Sequence, residues 1–83
     1  MNHEKILGEL QAIFRDVLQE HGLQLADNSG PDELPGWDSL HHMQLIAAIE
    51  VHFKVQFSFN EAASIRSVKD IIGLIMSTST QPD

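Results

Sequence analysis

The chain has 83 residues, a net charge of −7 and no cysteine. That length makes one domain, which buries roughly 60–65% of the surface its unfolded chain would expose and leaves little room for a deep catalytic cleft. The charge excludes nucleic acid and an anionic membrane as natural partners, because counterion release needs a basic surface. The absent cysteines exclude a disulfide framework, a thiolate metal site and a cysteine nucleophile.

The opening Met1-Asn2-His3-Glu4-Lys5 lacks the basic and apolar regions of a secretory leader, and no apolar run approaches the ~20 residues of a membrane span. A cytoplasmic, monomeric protein without membrane contact is expected. Acidity is uneven along the chain. Residues 1–38 hold eight acids against Lys5 and Arg15, a balance of −6, while residues 39–83 hold four acids against Lys54, Arg66 and Lys69, a balance of −1.

Ile6, Leu7, Leu10, Ile13, Phe14, Val17 and Leu18 recur at helical spacing, which predicts a first helix over about 4–20 with Gly22 as its stop. Residues 22–38 then read as a long connection with breaks at Asp27–Asp32 and Pro35-Gly36; loops of this length in small domains are often functional. Leu23, Leu25, Leu34 and Trp37 should pin it to the core. A second helix is predicted from Ser39 to Phe53 or Lys54. Leu40, Met43, Ile46, Ala47, Ile49 and Phe53 form its inward face, and Leu45, Ala48 and Val51 widen it. Val55-Gln56-Phe57-Ser58-Phe59 alternates like a strand but has no pairing mate, so it is taken as an extended connector. A short helical turn at 60–64 follows, with Asn60 as cap. Ser67-Val68-Lys69-Asp70 resembles a capping box opening a last helix, and residues 77–83 read as a frayed tail. The sum is an all-α, small four-helix bundle: three main helices, one short one, and a long loop between the first and second. Residues 1–83 form a single domain with its ordered core at about 4–76.

The segment that carries chemistry is Leu34-Pro35-Gly36-Trp37-Asp38-Ser39-Leu40. Asp38 and Ser39 sit where the second helix begins. The first backbone N–H groups of a helix lack internal partners and lie at its positive end, so a phosphate ester on Ser39 would be favourably placed. Asp38 can cap the helix, and an inward Leu40 would leave Ser39 facing solvent. Taken alone, Asp38 and Ser39 are explained as a simple helix cap.

In its wider context the chain resembles the carrier-protein family, which comprises acyl carrier proteins and the related peptidyl and aminoacyl carriers. The resemblance runs over about residues 4–76. It rests on Asp38-Ser39-Leu40, then Leu45, Ile49, Glu50 and Phe53, the Val55–Phe59 connector, Glu61-Ala62, Ile65, Ser67-Val68 and Asp70-Ile71. It implies that a phosphopantetheinyl transferase moves a 4′-phosphopantetheine arm from coenzyme A onto Ser39. The arm would hold cargo as a thioester, and the protein, itself no enzyme, would present that cargo to acyl- or aminoacyl-loading and processing enzymes.

Carriers of primary fatty-acid synthesis resemble this chain but keep the second helix strongly acidic. Here His41, His42, Gln44, Val51 and His52 interrupt it, Glu50 retains the charge, and Phe59 stands where acids are usual. Trp37, His41, His42, Gln44, Glu50, Val51 and Phe59 are therefore expected to form a partner surface. The resemblance leans toward stand-alone carriers of specialised pathways, polyketide or related. An aminoacyl or peptidyl carrier is the nearest alternative, and an unmodified helical interaction module the alternative of a different class. The histidines lack the i,i+4 spacing of a helical metal site, so no metal is expected. Nor does a glycine-flanked nucleophile elbow accompany Ser39.

Overall fold

The computed structural model describes residues 2–78. Four helices follow in order: α1 (His3–Leu18), α2 (Ser39–Phe53), α3 (Phe59–Ala63) and α4 (Val68–Thr78). The all-α bundle with its long first connection is the architecture the periodicity predicts. Of the tail expected to fray, Ser77 and Thr78 belong to α4, and residues 79–83 lie outside the described residues.

Each long helix sends a stripe at helical spacing into one core. Ile6, Leu10 and Phe14 come from α1, Leu45, Ile49 and Phe53 from α2, and Val68, Ile71, Ile72 and Ile75 from α4. Leu25 and Trp37 from the long loop, with Val55 and Ile65 from the two later connectors, complete it. The loop is thus packed, as its leucines and tryptophan imply.

Helix boundaries follow local chemistry. Asn2 caps α1 by accepting the Lys5 N–H at 2.8 Å. The helix stops earlier than Gly22, at Gln19, which takes the left-handed conformation with φ 58° and donates its N–H to the Arg15 carbonyl. Arg15 Nε also donates to the Leu23 carbonyl at 2.7 Å, which draws the chain back across the helix end. At α3 the cap is Ser58 rather than Asn60. Ser58 and Glu61 form a reciprocal capping box, so the helix begins at Phe59.

The start of α4 is satisfied from far along the chain. The N–H groups of Val68 and Lys69 donate to the loop carbonyls of Ser29 and Asp27, at 2.9 and 2.8 Å. The expected capping box is altered: Asp70 Oδ2 accepts from Arg66 N–H, one residue before Ser67. Gly30 makes this clasp possible, since a Cβ there would lie 2.7 Å from the Arg66 carbonyl oxygen. Gly30→Ala must push two backbone segments apart, and it should destabilise the fold by about 1–3 kcal/mol. A lowered urea midpoint with an unchanged slope is the expected reading.

Candidate functional site

The loop delivers the chain to α2 through a turn in which Trp37 N–H donates to the Leu34 carbonyl at 2.8 Å. Asp38 then serves as N-cap in extended conformation, its Oδ1 accepting the His41 backbone N–H at 2.9 Å. The same oxygen accepts from His41 Nδ1 at 2.8 Å. These two bonds, the backbone one first, hold the Asp38 carboxyl below the ordinary aspartate range.

Ser39 is the first residue of α2 and is exposed. Among the described residues its N–H and that of Leu40 make no hydrogen bond, and the first turn of α2 contains no acid. Both N–H groups lie at the positive end of a 15-residue helix. An anion esterified to Ser39 Oγ would therefore lie at a helix end with two unspent donors, and the neighbouring Asp38 carboxylate is already tied to His41. A phosphodiester fits this position.

Leu40 does not turn inward as expected. It is 64% exposed, as are Met43 at 71% and Val51 at 79%. At about 100° per residue, Leu40 lies on the opposite side of α2 from Ile49, and Met43, Ala47 and Val51 fall near it. Because α2 is apolar almost all round, its sequence carries no phase; packing of Leu45, Ile49 and Phe53 on the core decides which face is buried.

The residues expected on a partner surface divide in two. Gln44, Val51 and Phe59 face solvent, Phe59 at 86% exposure, which overturns the alternative that its ring packs under the connector. Trp37 does not belong there: it is 4% exposed and sits edge-on to Phe14 with ring centroids 5.1 Å apart. His42 is half-buried and spends both ring nitrogens internally, Nδ1 accepting from Trp37 Nε1 and Nε2 donating to the Ala62 carbonyl. Glu50, also half-buried, accepts the Phe57 N–H at 2.9 Å. His41 is turned toward Asp38.

Two features escaped the sequence reading. Met43 joins the exposed stripe, and an apolar cleft of about 410 Å³ opens between α2 and α3, lined by Met43, Ile46, Ala47 and Phe59 among others. The Ser58-x-x-Glu61 pattern was the available signal that α3 starts early enough to form its second wall.

The histidines do not converge. His3 pairs with Asp27, His52 with Glu9, and His41 with Asp38. Among the described residues no three metal-ligating side chains come together. The hydrogen-bonded nitrogens of His41 and His42 serve partners other than Ser39.

The family model described as "Phosphopantetheine attachment site" matches residues 8–75. The chain belongs to this carrier family. Its prosthetic group is a covalently attached 4′-phosphopantetheine, and its members are non-catalytic carriers that work with biosynthetic enzymes. An acyl carrier protein of Thermosynechococcus vestitus is 31% identical over 75 residues, spanning 90% of this chain and 93% of that one. The solution structure of a holo acyl carrier protein from Geobacter metallireducens superposes with a TM-score of 0.81 at 33% identity, covering 88% of this chain and 84% of that one. An acyl carrier protein from Thermotoga maritima shares the fold, with a TM-score of 0.83 at 22% identity and coverage of 96% and 93%. Among the described residues no helix is long and apolar enough to cross a membrane.

The capping role of Asp38 carries a pH signature in this carrier. A carboxyl whose folded pKa lies below its unfolded one stabilises the fold fully above the unfolded value. That contribution is lost as pH falls through the folded value. Asp38→Ala should therefore melt below the wild type at neutral pH. The gap should persist down to the ordinary aspartate range and close below it, as followed by circular dichroism melts across pH.

Proposed function

We propose that this protein carries a biosynthetic intermediate as a thioester on a 4′-phosphopantetheine arm attached to Ser39, and presents it to partner enzymes of a specialised pathway, polyketide or related. The observation that carries the reading is the exposed Ser39 hydroxyl at the first position of α2, directly after a carboxylate cap. In the attachment step a phosphopantetheinyl transferase brings coenzyme A to this serine. Ser39 Oγ forms the new bond to phosphorus as its proton passes to a base supplied by the transferase, the pyrophosphate bond of coenzyme A breaks, and adenosine 3′,5′-bisphosphate leaves with the bridging oxygen. The chain's own part is positional. Asp38 fixes where α2 begins and holds Ser39 outward, and the Ser39 and Leu40 N–H groups offer donors to the phosphodiester. When bound, the arm supplies the thiol that a cysteine-free chain lacks.

The pathway reading rests on the surface around Ser39. Three carboxylates of this region are spent as acceptors for backbone N–H groups: Asp38 to His41, Glu50 to Phe57 and Glu61 to Ser58. What projects outward is Leu40, Met43, Val51 and Phe59. A contiguous apolar stripe of this kind marks an interaction surface. It favours partners whose docking faces are apolar, rather than the basic patches that an acidic helix would select.

Treatment with a broad-specificity transferase and coenzyme A should convert the wild type fully, and intact mass should show no gain for Ser39→Ala, whose circular dichroism spectrum stays helical. A gain on Ser39→Ala refutes the site. With the same transferase as probe, Met43→Glu should lower kcat/KM by about tenfold or more without lowering Tm, the cost of a central apolar contact.

A further inference from the structure

The five-residue α3 contributes no fully buried residue, so its seat on the bundle depends on a few ties. Two side chains of α2 supply polar ones. Glu50 Oε2 accepts the Phe57 N–H just before α3, at 2.9 Å, and His42 Nε2 donates to the Ala62 carbonyl within it, at 3.0 Å. The apolar cleft lies between these ties.

The second ring nitrogen of His42 looks the other way. Nδ1 accepts the indole N–H of Trp37 at 2.9 Å, and the two ring planes lie 20° from parallel with centroids 6.0 Å apart. A carbonyl accepts only, and an indole nitrogen donates only. One neutral tautomer, with its proton on Nε2, satisfies both neighbours. The other sets N–H against N–H at Trp37 and a lone pair against the carbonyl at Ala62. The tautomer is therefore fixed from both sides at once, and each side depends on the other.

We propose that His42 is a positioning residue that couples the seat of α3 to the loop presenting Ser39, an inference that rests on Ser39 being the attachment site. Trp37 stands two residues before Ser39, and its ring is the loop's last anchor in the core before α2 begins. When α3 moves away from α2, Nε2–H loses its acceptor and the proton is free to move to Nδ1. Trp37 then faces a donor in place of an acceptor. Whatever displaces α3, whether an occupant of the cleft or a docked partner, thereby loosens the entry to Ser39. In the other direction, a well-seated α3 holds that entry rigid. The aromatic expected to meet partners directly becomes an internal relay element, and so does its histidine neighbour.

Nuclear magnetic resonance on the unmodified protein tests this without reference to the arm. Long-range proton–nitrogen correlations of the imidazole at neutral pH should show His42 as the Nε2–H tautomer. The Nδ1–H tautomer, or rapid averaging of the two, overturns the proposal. Glu50→Ala cuts the other tie to α3, and it should speed exchange of the Trp37 indole proton with water roughly 2- to 10-fold, the range expected when one modest hydrogen bond is weakened. Glu50→Gln keeps an acceptor oxygen for Phe57 N–H and should restore the wild-type rate. His42→Leu removes both the donor for Ala62 and the acceptor for Trp37. In that background indole exchange should be fast already and indifferent to Glu50→Ala. Indole exchange that ignores Glu50→Ala in the presence of His42 removes the coupling. If Ser39→Ala is still loaded by a transferase, the attachment reading falls while these spectra stand, so the two failures are distinct.

Discussion

The carboxylate of Asp38 on the first turn of α2 is the contact on which the site depends. It takes one of the N–H groups that a helix start leaves without partners, and so fixes the residue at which the helix begins. With that boundary set, Ser39 is the first helical residue, its hydroxyl in solvent and its own N–H and that of Leu40 unspent. A boundary one residue later would make Ser39 itself the cap and turn its hydroxyl onto the backbone. Core packing then chooses the face of α2: Leu45, Ile49 and Phe53 reach the core, and Leu40, Met43 and Val51 are sent outward.

The long loop stands behind that boundary. It is held through Trp37 and Leu25 in the core, and through the carbonyls of Asp27 and Ser29, which accept the first N–H groups of α4. Loop and last helix thus satisfy each other's backbone, and Gly30 supplies the close approach this needs. A loop of this length presents a serine reproducibly only when tied down at several points along its course. Here the ties reach α1 through His3 with Asp27 and Gln11 with Leu25, and α2 through Trp37 with His42.

What the sequence made legible follows from which interactions are local. The stripes of α1 and α4, the start of α2 at an aspartate, and the turn-rich connection all rest on spacing and capping, which need no tertiary knowledge. Leu40 and Met43 were misplaced because α2 is apolar almost all round, so that only its packing in the core, chiefly against α1, chooses the buried face. The alternation in Val55–Phe59 hid the Ser58–Glu61 box, although the box is itself a local pattern. The hydrogen bond from His42 to Ala62 and the capping of α4 by Ser29 and Asp27 join residues 20 to 42 positions apart, and no periodicity encodes them. The family resemblance carried the prosthetic group, which no residue pattern alone could have named, and the match over residues 8–75 agrees with it.

The departure from an acidic second helix has a physical form. Acids are present near the site, but Asp38, Glu50 and Glu61 cap backbone groups and thereby serve the fold. The apolar side chains left exposed, Leu40, Met43, Val51 and Phe59, are the surface we propose for recognition. The most direct measurement of the whole account is fragmentation mass spectrometry of the protein after loading from coenzyme A. The account predicts a single arm, localised to Ser39; an arm on Ser29, Ser58, Ser64 or any other residue, or a chain that accepts none, would contradict it.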